Sequence, residues 1–497
     1  MSPGQGPSRE PELPPELIDS VLELLVAEWY SIPYAKRRDH EIRLAVSRCM
    51  VVSRAFLTST RRCLFAHVST HERPKASSIT PLAFSNEDVT ARMDSLLKLL
   101  RNDPLQDTQP LAGHIRSIEV EMDPLSHKNT DRMRQENLHR WLKQDSGTLD
   151  WNARRINMRE VLRLLPNLHT FSLIFTSPIS AYALHVGLSL AVEKLCRSAL
   201  LTSLRFENIN NFPVDMLASC PNLADLQLVN VHARDAAGDP TSPFAGKYMM
   251  TLLPSSWDRQ SLRRLRNLTT ENSGDVYEAI KANAKQLPLF SSLKALDISV
   301  YAYAAPENPG DTHILRAAAP RLESLSIRGI GFDSSCNKFP HIALGKFQAL
   351  RTLHIKASPL SNLFFRNVPR GLNVFLASDP DASAAIETLV FEFTTVPVIA
   401  SDIGAFDVDH AWAVVDEHLV DQRLYPYLKL VRFQLSYLYR RRFGMAFETD
   451  NSNTPDMDWV TKGLASLSEL ASKVFPKVAH CERIKYDVCV DLTETQN

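Results

Sequence analysis

The sequence predicts an α/β chain in which a small helical module precedes a long, irregular series of strand-forming repeats. Three observations predict this class. Short units of the form apolar-x-x-apolar-x-apolar recur from about residue 113 to the end of the chain. Several units follow a helix-like stretch that ends in a proline turn, and residues 12–68 carry apolar side chains at helical spacing. We therefore expect parallel strands joined by right-handed crossovers and preceded by helices.

The repeated units define the predicted strands. In each unit the last two apolar residues alternate as in a half-buried strand, and the first lies where the chain enters that strand. The middle residue recurs at intervals of 29 and 28 residues from Leu296 through Leu325 to Leu353, and at 22 residues from Leu204 to Leu226. The predicted units begin at Ile115, Leu168, Leu201, Leu223, Leu293, Leu322, Leu350, Ile386, Leu428 and, more weakly, Cys481.

Prolines separate predicted helices from the strands that follow them. Helix-like segments at 161–168, 215–223, 314–322 and 421–428 each contain a proline shortly before the next unit. Because proline cannot continue a helix, each segment should end there. One helix–turn–strand unit cannot bury its own apolar face, so neighbouring units must stack. The pattern resembles the leucine-rich-repeat solenoid over most of residues 113–490.

The sequence departs from that repeat family in two ways. Repeat lengths are irregular, with insertions at 231–260 and 398–412 that are expected at the rims. The asparagine expected three residues after the last strand leucine is missing or displaced, since Asn208 and Asn230 come two residues after. We therefore expect the asparagine ladder to be lost and other side chains to satisfy the turn backbone. A non-repetitive α/β domain is the alternative.

The amino-acid composition is that of a globular chain with no net charge. Hydrophobic residues make up 44% and charged residues 23%, which allows a large core. The 56 basic residues balance the 56 acidic ones, so we expect neither nucleic acid nor a membrane as partner. The start of the chain has no apolar signal core, and the scattered cysteines predict reduced thiols. A cytoplasmic or nuclear location is expected.

The N-terminal part has more apolar surface than it can bury. We predict a loose tail at 1–10, a helical module at 11–70, a linker with a helix at 71–112 and a repeat domain at 113–497. At 100° per residue, the apolar residues of the first helix span an arc of about 160°, wider than one packing face requires. These residues are Leu17, Ile18, Val21, Leu22, Leu24 and Leu25. Either the repeat domain or another protein must cover them.

This module resembles the F-box motif in an ordered set of residues. Leu13-Pro14-Pro15-Glu16-Leu17-Ile18 is followed by Leu22, by Val51-Val52-Ser53-Arg54-x-Phe56 and by Leu64-Phe65. The sequence pattern of the whole chain also resembles that of F-box proteins from basidiomycete fungi. The resemblance implies a three-helix module that docks on the Skp-type subunit of a cullin ubiquitin ligase. It assigns partner contact to Leu13, Pro14, Ile18, Leu22, Val51, Val52, Phe56, Leu64 and Phe65.

Two features of the module depart from the F-box pattern. Phe65 stands where the family often has tryptophan, and the stretch 28–41 between the first two helices is longer than usual. An ordinary helical cap on the open end of the solenoid is the alternative interpretation.

The sequence contains no motif for catalysis, cofactor binding or metal binding. H-E-x-x-H, G-x-S-x-G, Walker A and dinucleotide glycine motifs are absent. Cys481 and Cys489 are eight residues apart, and no histidine has metal-ligand spacing to both. We therefore expect a non-enzymatic adaptor without cofactor or metal, which presents an unidentified target protein to an SCF-type (Skp–cullin–F-box) ligase. The alternatives are a repeat scaffold unrelated to ubiquitin and a hydrolase or transferase with an unrecognised site.

Overall fold

The computed structural model of the chain divides into two compact units. Unit 1 comprises Met1–Ser177 and Ala183–Arg205, and unit 2 comprises Pro178–Tyr182 and Phe206–Asn497. The residues that the structure describes are 17–18, 20–22, 24, 48, 54–69, 86–103, 110–122, 157–180, 186–233, 264–284, 290–301, 309–330, 344, 347–360, 376, 385–395, 410–439, 469 and 473–494.

Unit 1 joins helices to the first parallel strands. Its helices are α1 (Arg54–Phe65), α2 (Asn86–Arg101), α3 (Leu111–His114) and α4 (Val186–Cys196), and residues 157–164 are also helical. Its strands are β1 (His67–Ser69), β2 (Ser117–Met122) and β3 (Thr170–Ser180), of which the last residues belong to unit 2. Val68 pairs with Ile118, and Ile118 pairs with Phe171, both in parallel. The predicted units at Ile115 and Leu168 are thus confirmed, whereas β1 was not predicted.

Unit 2 is a succession of parallel strands and short helices. Its strands are β4 (Ser203–Phe212), which begins in unit 1, β5 (Asp225–Ala233), β6 (Asn267–Glu271), β7 (Ala295–Tyr301), β8 (Ser324–Ile330), β9 (Thr352–Leu360), β10 (Thr388–Thr395), β11 (Leu430–Tyr439) and β12 (Lys485–Glu494). Its helices are α5 (Asp215–Ala218), α6 (Gly274–Ala284), α7 (Pro309–Ala318), α8 (His410–Val420) and α9 (Pro476–Ala479). The predicted α/β class with parallel strands is confirmed.

The strands of unit 2 pair in chain order, and the middle residues of the repeats form one row. That row runs through Leu226, Leu268, Leu296, Leu325, Leu353, Leu389, Val431 and Tyr486. The repeat that contains Leu268 was missed because its last apolar position holds Thr270, which is buried. The final unit is shifted by two residues from the prediction, because β12 begins after the buried Ile484 and pairs Tyr486 with Val431.

Three asparagines form a side-chain ladder in unit 2. The amide of Asn230 donates a hydrogen bond to Asn208 Oδ1 at 3.0 Å, and the amide of Asn272 donates to Asn230 Oδ1 at 3.2 Å. All three residues have positive φ, at 58°, 50° and 49° along the chain, a region that asparagine adopts more readily than most residues. The expected loss of the ladder is therefore wrong for these repeats. The shared left-handed backbone conformation aligns asparagines that the sequence pattern shows as displaced.

Side chains also satisfy backbone groups beyond the ladder, as expected for irregular turns. Ser273 Oγ accepts a hydrogen bond from the Val231 N–H at 2.9 Å. Asp275 accepts one from the Ala233 N–H at 2.8 Å. Ser273 immediately precedes α6 and Asp275 lies in the first turn of this helix. These hydrogen bonds therefore hold the end of β5 against the start of α6.

Substitution of Asn230 should separate backbone strain from hydrogen bonding. Asn230→Ala loses both ladder bonds and places a Cβ without compensation at positive φ, which should lower the free energy of unfolding by about 2–4 kcal/mol. Asn230→Gly loses the same bonds but relieves the strain, so about 1–2 kcal/mol is expected. Urea denaturation measures both values. Equal losses for the two variants would show that the left-handed conformation contributes nothing.

A buried ion pair connects the helical part of unit 1 to its first strands. Arg61 Nη2 lies 2.7 Å from both carboxylate oxygens of Asp103, and the Leu111 N–H donates to Asp103 Oδ2 at 2.6 Å. The backbone continues the link, since the Ala66 carbonyl accepts hydrogen bonds from the N–H groups of Arg116 and the following residue, each at 2.9 Å. The region predicted as a separate F-box-like module therefore leads directly into a strand of the parallel ladder.

An aromatic cluster centred on Trp412 packs the C-terminal repeats of unit 2. Trp412 is completely buried, and its ring lies edge-on to those of four phenylalanines at centroid distances of 5.5–6.3 Å. These are Phe391 and Phe393 from β10, Phe433 from β11 and Phe475 immediately before α9. Edge-to-face contacts of this kind add to the burial of apolar area.

Candidate protein-interaction surfaces

The described residues between positions 17 and 24 are helical and carry two apolar stripes. Ile18 and Leu22 are buried, at 3% and 0% exposure, one turn apart. Leu17, Val21 and Leu24 are 54%, 54% and 72% exposed. Their i, i+4, i+7 spacing places them within an arc of about 60° on the helix surface. We refer to Leu17, Val21 and Leu24 as the exposed stripe.

The predicted contact residues of this helix therefore divide by burial. Ile18 and Leu22 are buried within the chain, and their contact with a partner stays a prediction. The exposed stripe lies on the neighbouring face of the same helix. The sequence showed an arc too wide for one packing face, but it did not show which part of that arc the chain covers itself.

The other predicted contact residues lie at or beyond the limits of the described structure. Leu64 and Phe65 end α1 and are half-buried. Phe56 belongs to α1, but its side chain lies outside the described part of the structure. Four further residues lie wholly outside it: Leu13, Pro14, Val51 and Val52. Partner contact through these residues stays a prediction.

Unit 2 offers a second surface, the polar face of its strands. On this face Arg328 of β8 forms a two-pronged ion pair with Asp297 of β7, at 3.0 and 2.7 Å, and reaches Glu271 of β6 at 3.0 Å. Burial alone would lower the pKa of Arg328, but the hydrogen bonds and charges of the two acids raise it above its usual value. The guanidinium is thus a fixed positive charge that links three strands.

A second ion-pair group lies on the next strands of this face. His354 Nε2 of β9 is 2.9 Å from Glu392 Oε2 of β10, and Lys356 Nζ is 3.6 Å from the same oxygen. The close approach of the His354 ring lowers the pKa of Glu392, and the charge of Lys356 adds to this effect against the opposing effect of burial. The described charged side chains of this face are therefore partly exposed and paired with one another.

Three polar side chains lie in register on neighbouring strands of this face. Ser326 of β8 lies in register between Asp297 of β7 and His354 of β9. Its hydroxyl is buried and makes no hydrogen bond to any described residue. Within the described ranges, histidine, cysteine and carboxylate side chains do not gather in groups of three or more that could hold a metal ion.

Comparison with known proteins gives a limited result. No family model matches the chain, and no curated protein matches it. Among solved structures, the chain resembles an internalin from Listeria monocytogenes strain 4b F2365, with 11% sequence identity and a TM-score of 0.27. That match covers 82% of this chain and 90% of the internalin chain. In the part of the chain that is described, no helix has both the length and the apolar character needed to cross a membrane.

Proposed function

We propose that this chain is a protein-interaction adaptor, specifically the substrate-recognition subunit of an SCF-type ubiquitin ligase. The observation that carries the proposal is the exposed stripe, an apolar helix face that stands within a sequence segment resembling the F-box. In this role the N-terminal helices bind the Skp-type subunit and, through it, a cullin. The repeats bind the target protein in the cytoplasm or nucleus.

The energetics of the exposed stripe support partner binding. Full burial of a leucine or valine side chain contributes about 1.5–3 kcal/mol, so three such residues supply a large part of a specific affinity. An i, i+4, i+7 pattern is the arrangement by which a helix docks into an apolar groove. We therefore place the exposed stripe at the centre of the contact with the Skp-type subunit, alongside Leu13 and Pro14 of the motif.

The polar strand face of unit 2 supports the other half of the proposal. Its charged side chains are held in fixed positions by cross-strand pairs, so a target protein meets a preorganised surface. Ubiquitin transfer would be carried out by other subunits, and this chain would contribute proximity and orientation.

The proposal predicts the effect of removing the exposed stripe. The intact chain should co-purify with a recombinant Skp-type subunit, and Leu17→Ala/Val21→Ala/Leu24→Ala should weaken binding by about a hundredfold or more, because each truncated anchor removes apolar burial. Leu13→Ala/Pro14→Ala tests the motif residues in the same assay. Leu190→Ala, at a leucine 43% exposed on α4, is the matched control and should bind like the wild type.

Failure of the intact chain to bind any Skp-type subunit would exclude the ligase role. Equal loss of binding in the Leu190→Ala control would show that the effect is not specific to the exposed stripe. Circular dichroism of each variant verifies that the fold is retained, which is expected because the substituted side chains are exposed.

A repeat scaffold unrelated to ubiquitin is the second candidate function, favoured by the buried residues of the same segment. Ile18 and Leu22 are buried within the chain, as a solenoid cap would require. On this alternative, deletion of residues 12–68 exposes apolar surface on the first repeats and causes aggregation. The exposed stripe would then tolerate substitution without loss of any partner.

A further inference from the structure

A cluster of basic side chains lies on two helices of unit 1 and has no role in the proposed ligase contact. Arg101 of α2 and Arg159 and Arg163 of helical residues 157–164 converge on the carboxylate of Glu160. The nitrogen–oxygen distances are 3.7 Å for Arg101, 3.9 Å for Arg159 and 3.2 Å for Arg163. Lys98, one turn before Arg101 on α2, is exposed and adds a fourth cation. We call these four cations the basic patch.

The basic patch stands on a fixed support. Both helices bury apolar residues, namely Met93, Leu97 and Leu100 from α2 and Met158, Val161 and Leu162 from residues 157–164. The amide of Asn157 donates a hydrogen bond to the carboxylate of Asp94, which ties the two helices together. The basic side chains are therefore presented from a packed surface rather than from a loop.

Glu160 does not use the full hydrogen-bonding capacity of the basic patch. Only Arg163 lies within hydrogen-bonding distance of this carboxylate, because the contacts of Arg101 and Arg159 are longer than 3.5 Å. The side chains of Arg101 and Arg163 are 56% and 50% exposed, so their guanidinium groups are open to an incoming anion. Guanidinium groups bind carboxylates in pairs of parallel hydrogen bonds, which favours such an anion further.

We propose that the basic patch binds an acidic segment of a partner protein through carboxylate groups. Glu160 already shows that a carboxylate is the kind of anion on which these guanidiniums converge. A protein segment is favoured over nucleic acid, because four cations on two helices cover few phosphates and the chain as a whole has no net charge. This inference does not rest on the ligase role, since the patch shares no residue with the exposed stripe.

The test uses the full chain and a fluorescein-labelled oligoglutamate peptide, followed by fluorescence anisotropy. Saturable binding is expected, and it should weaken as the ionic strength rises from about 0.05 M to about 0.5 M. Arg101→Gln/Arg163→Gln should reduce the affinity by about tenfold or more, because two of the converging charges are lost. Glu160→Gln should increase the affinity several-fold, because the competing carboxylate is removed.

The control for these variants is Arg197→Gln. Arg197 is 57% exposed on the same unit and, among the described residues, pairs with Glu193, so its loss should leave oligoglutamate binding unchanged. The gain expected for Glu160→Gln cannot arise from partial unfolding, which keeps the test decisive even if the double variant is unstable. The proposal is overturned if Glu160→Gln binds no more tightly than the wild type. It is equally overturned if oligothymidylate binds the patch more tightly than oligoglutamate.

Discussion

Replacement of Trp412 by alanine should lower the free energy of unfolding of the C-terminal repeats by about 3–5 kcal/mol. The indole is wholly buried and makes edge-to-face contacts with four phenylalanine rings, so its removal loses apolar burial and leaves a cavity that the sheet cannot close. Native-state hydrogen exchange of amides in β10 and β11 measures the effect locally. Protection of these amides should fall together, because both strands pack against the same ring.

Tyr427→Ala is the matched control for the tryptophan substitution. Tyr427 lies in the turn before β11 and is 59% exposed, so its removal should change the stability by no more than about 0.5 kcal/mol. A loss below about 1 kcal/mol for Trp412→Ala would contradict the central packing role that we assign to it.

The second large effect is expected at Asp103 in unit 1. The side chains of Arg61 and Asp103 are only 10% and 3% exposed, respectively. Asp103→Ala therefore leaves the guanidinium of Arg61 in a buried site without its carboxylate. Breaking such a pair from one side destabilises a protein by about 3–5 kcal/mol. The Leu111 N–H loses its acceptor as well. Hydrogen exchange in β1 and β2 should therefore accelerate, because the ion pair anchors the helix that leads into β1.

Titration of His114 gives an independent measure of the same substitution. Burial and the charges of Arg61, Arg62 and Arg116 hold the pKa of His114 below its usual value, and Asp103 opposes them. In Asp103→Ala the pKa of His114 should therefore fall further, which nuclear magnetic resonance can follow. A rise in this pKa would show that the carboxylate is not the compensating charge.

Two control variants separate a buried ion pair from an exposed one. Arg61→Met/Asp103→Leu should recover most of the lost stability, because an apolar pair of similar volume avoids the buried charge. Glu193→Ala breaks an ion pair between α4 and Arg197, which follows this helix and is 57% exposed, and should change the stability by only about 0–1 kcal/mol. Similar losses for Asp103→Ala and Glu193→Ala would contradict the structural role of the buried pair.

The sequence predicted the repeats well where apolar residues occupied every position of the unit. The row from Leu296 through Leu325 to Leu353 follows from alternation and spacing alone. The repeat at Leu268 escaped because a buried threonine replaced an aliphatic residue, and polar residues carry no periodic signal. The last repeat was placed two residues early because Ile484 looks like a strand residue but precedes the strand.

The sequence was a poorer guide to side-chain contacts. Spacing suggested that the asparagines at 208 and 230 were out of place, yet their shared positive φ aligns them with Asn272 in a ladder. Asparagine favours this backbone conformation locally, but the alignment of the three side chains depends on the neighbouring repeats. The pairing of Arg61 with Asp103 joins residues 42 positions apart, and no periodicity in the sequence connects them.

For the candidate site, sequence identified the segment but not the exposed face. The apolar arc of this N-terminal helix is wider than one packing face requires, so either the repeat domain or another protein had to cover part of it. The structure divides that arc between the buried pair Ile18 and Leu22 and the exposed stripe. The division depends on how the rest of the chain folds against the helix. The converging arginines around Glu160 were not predicted either, because Arg101 comes from a helix far away in sequence.

Calorimetric titration of the full chain with a recombinant Skp-type subunit tests the central claim most directly. We expect saturable one-to-one binding with a negative heat-capacity change, the signature of apolar burial, and its loss when the three stripe residues are replaced by alanine. Absence of binding by the unaltered chain, or undiminished binding by the triple variant, would contradict the assignment of the exposed stripe as the ligase contact.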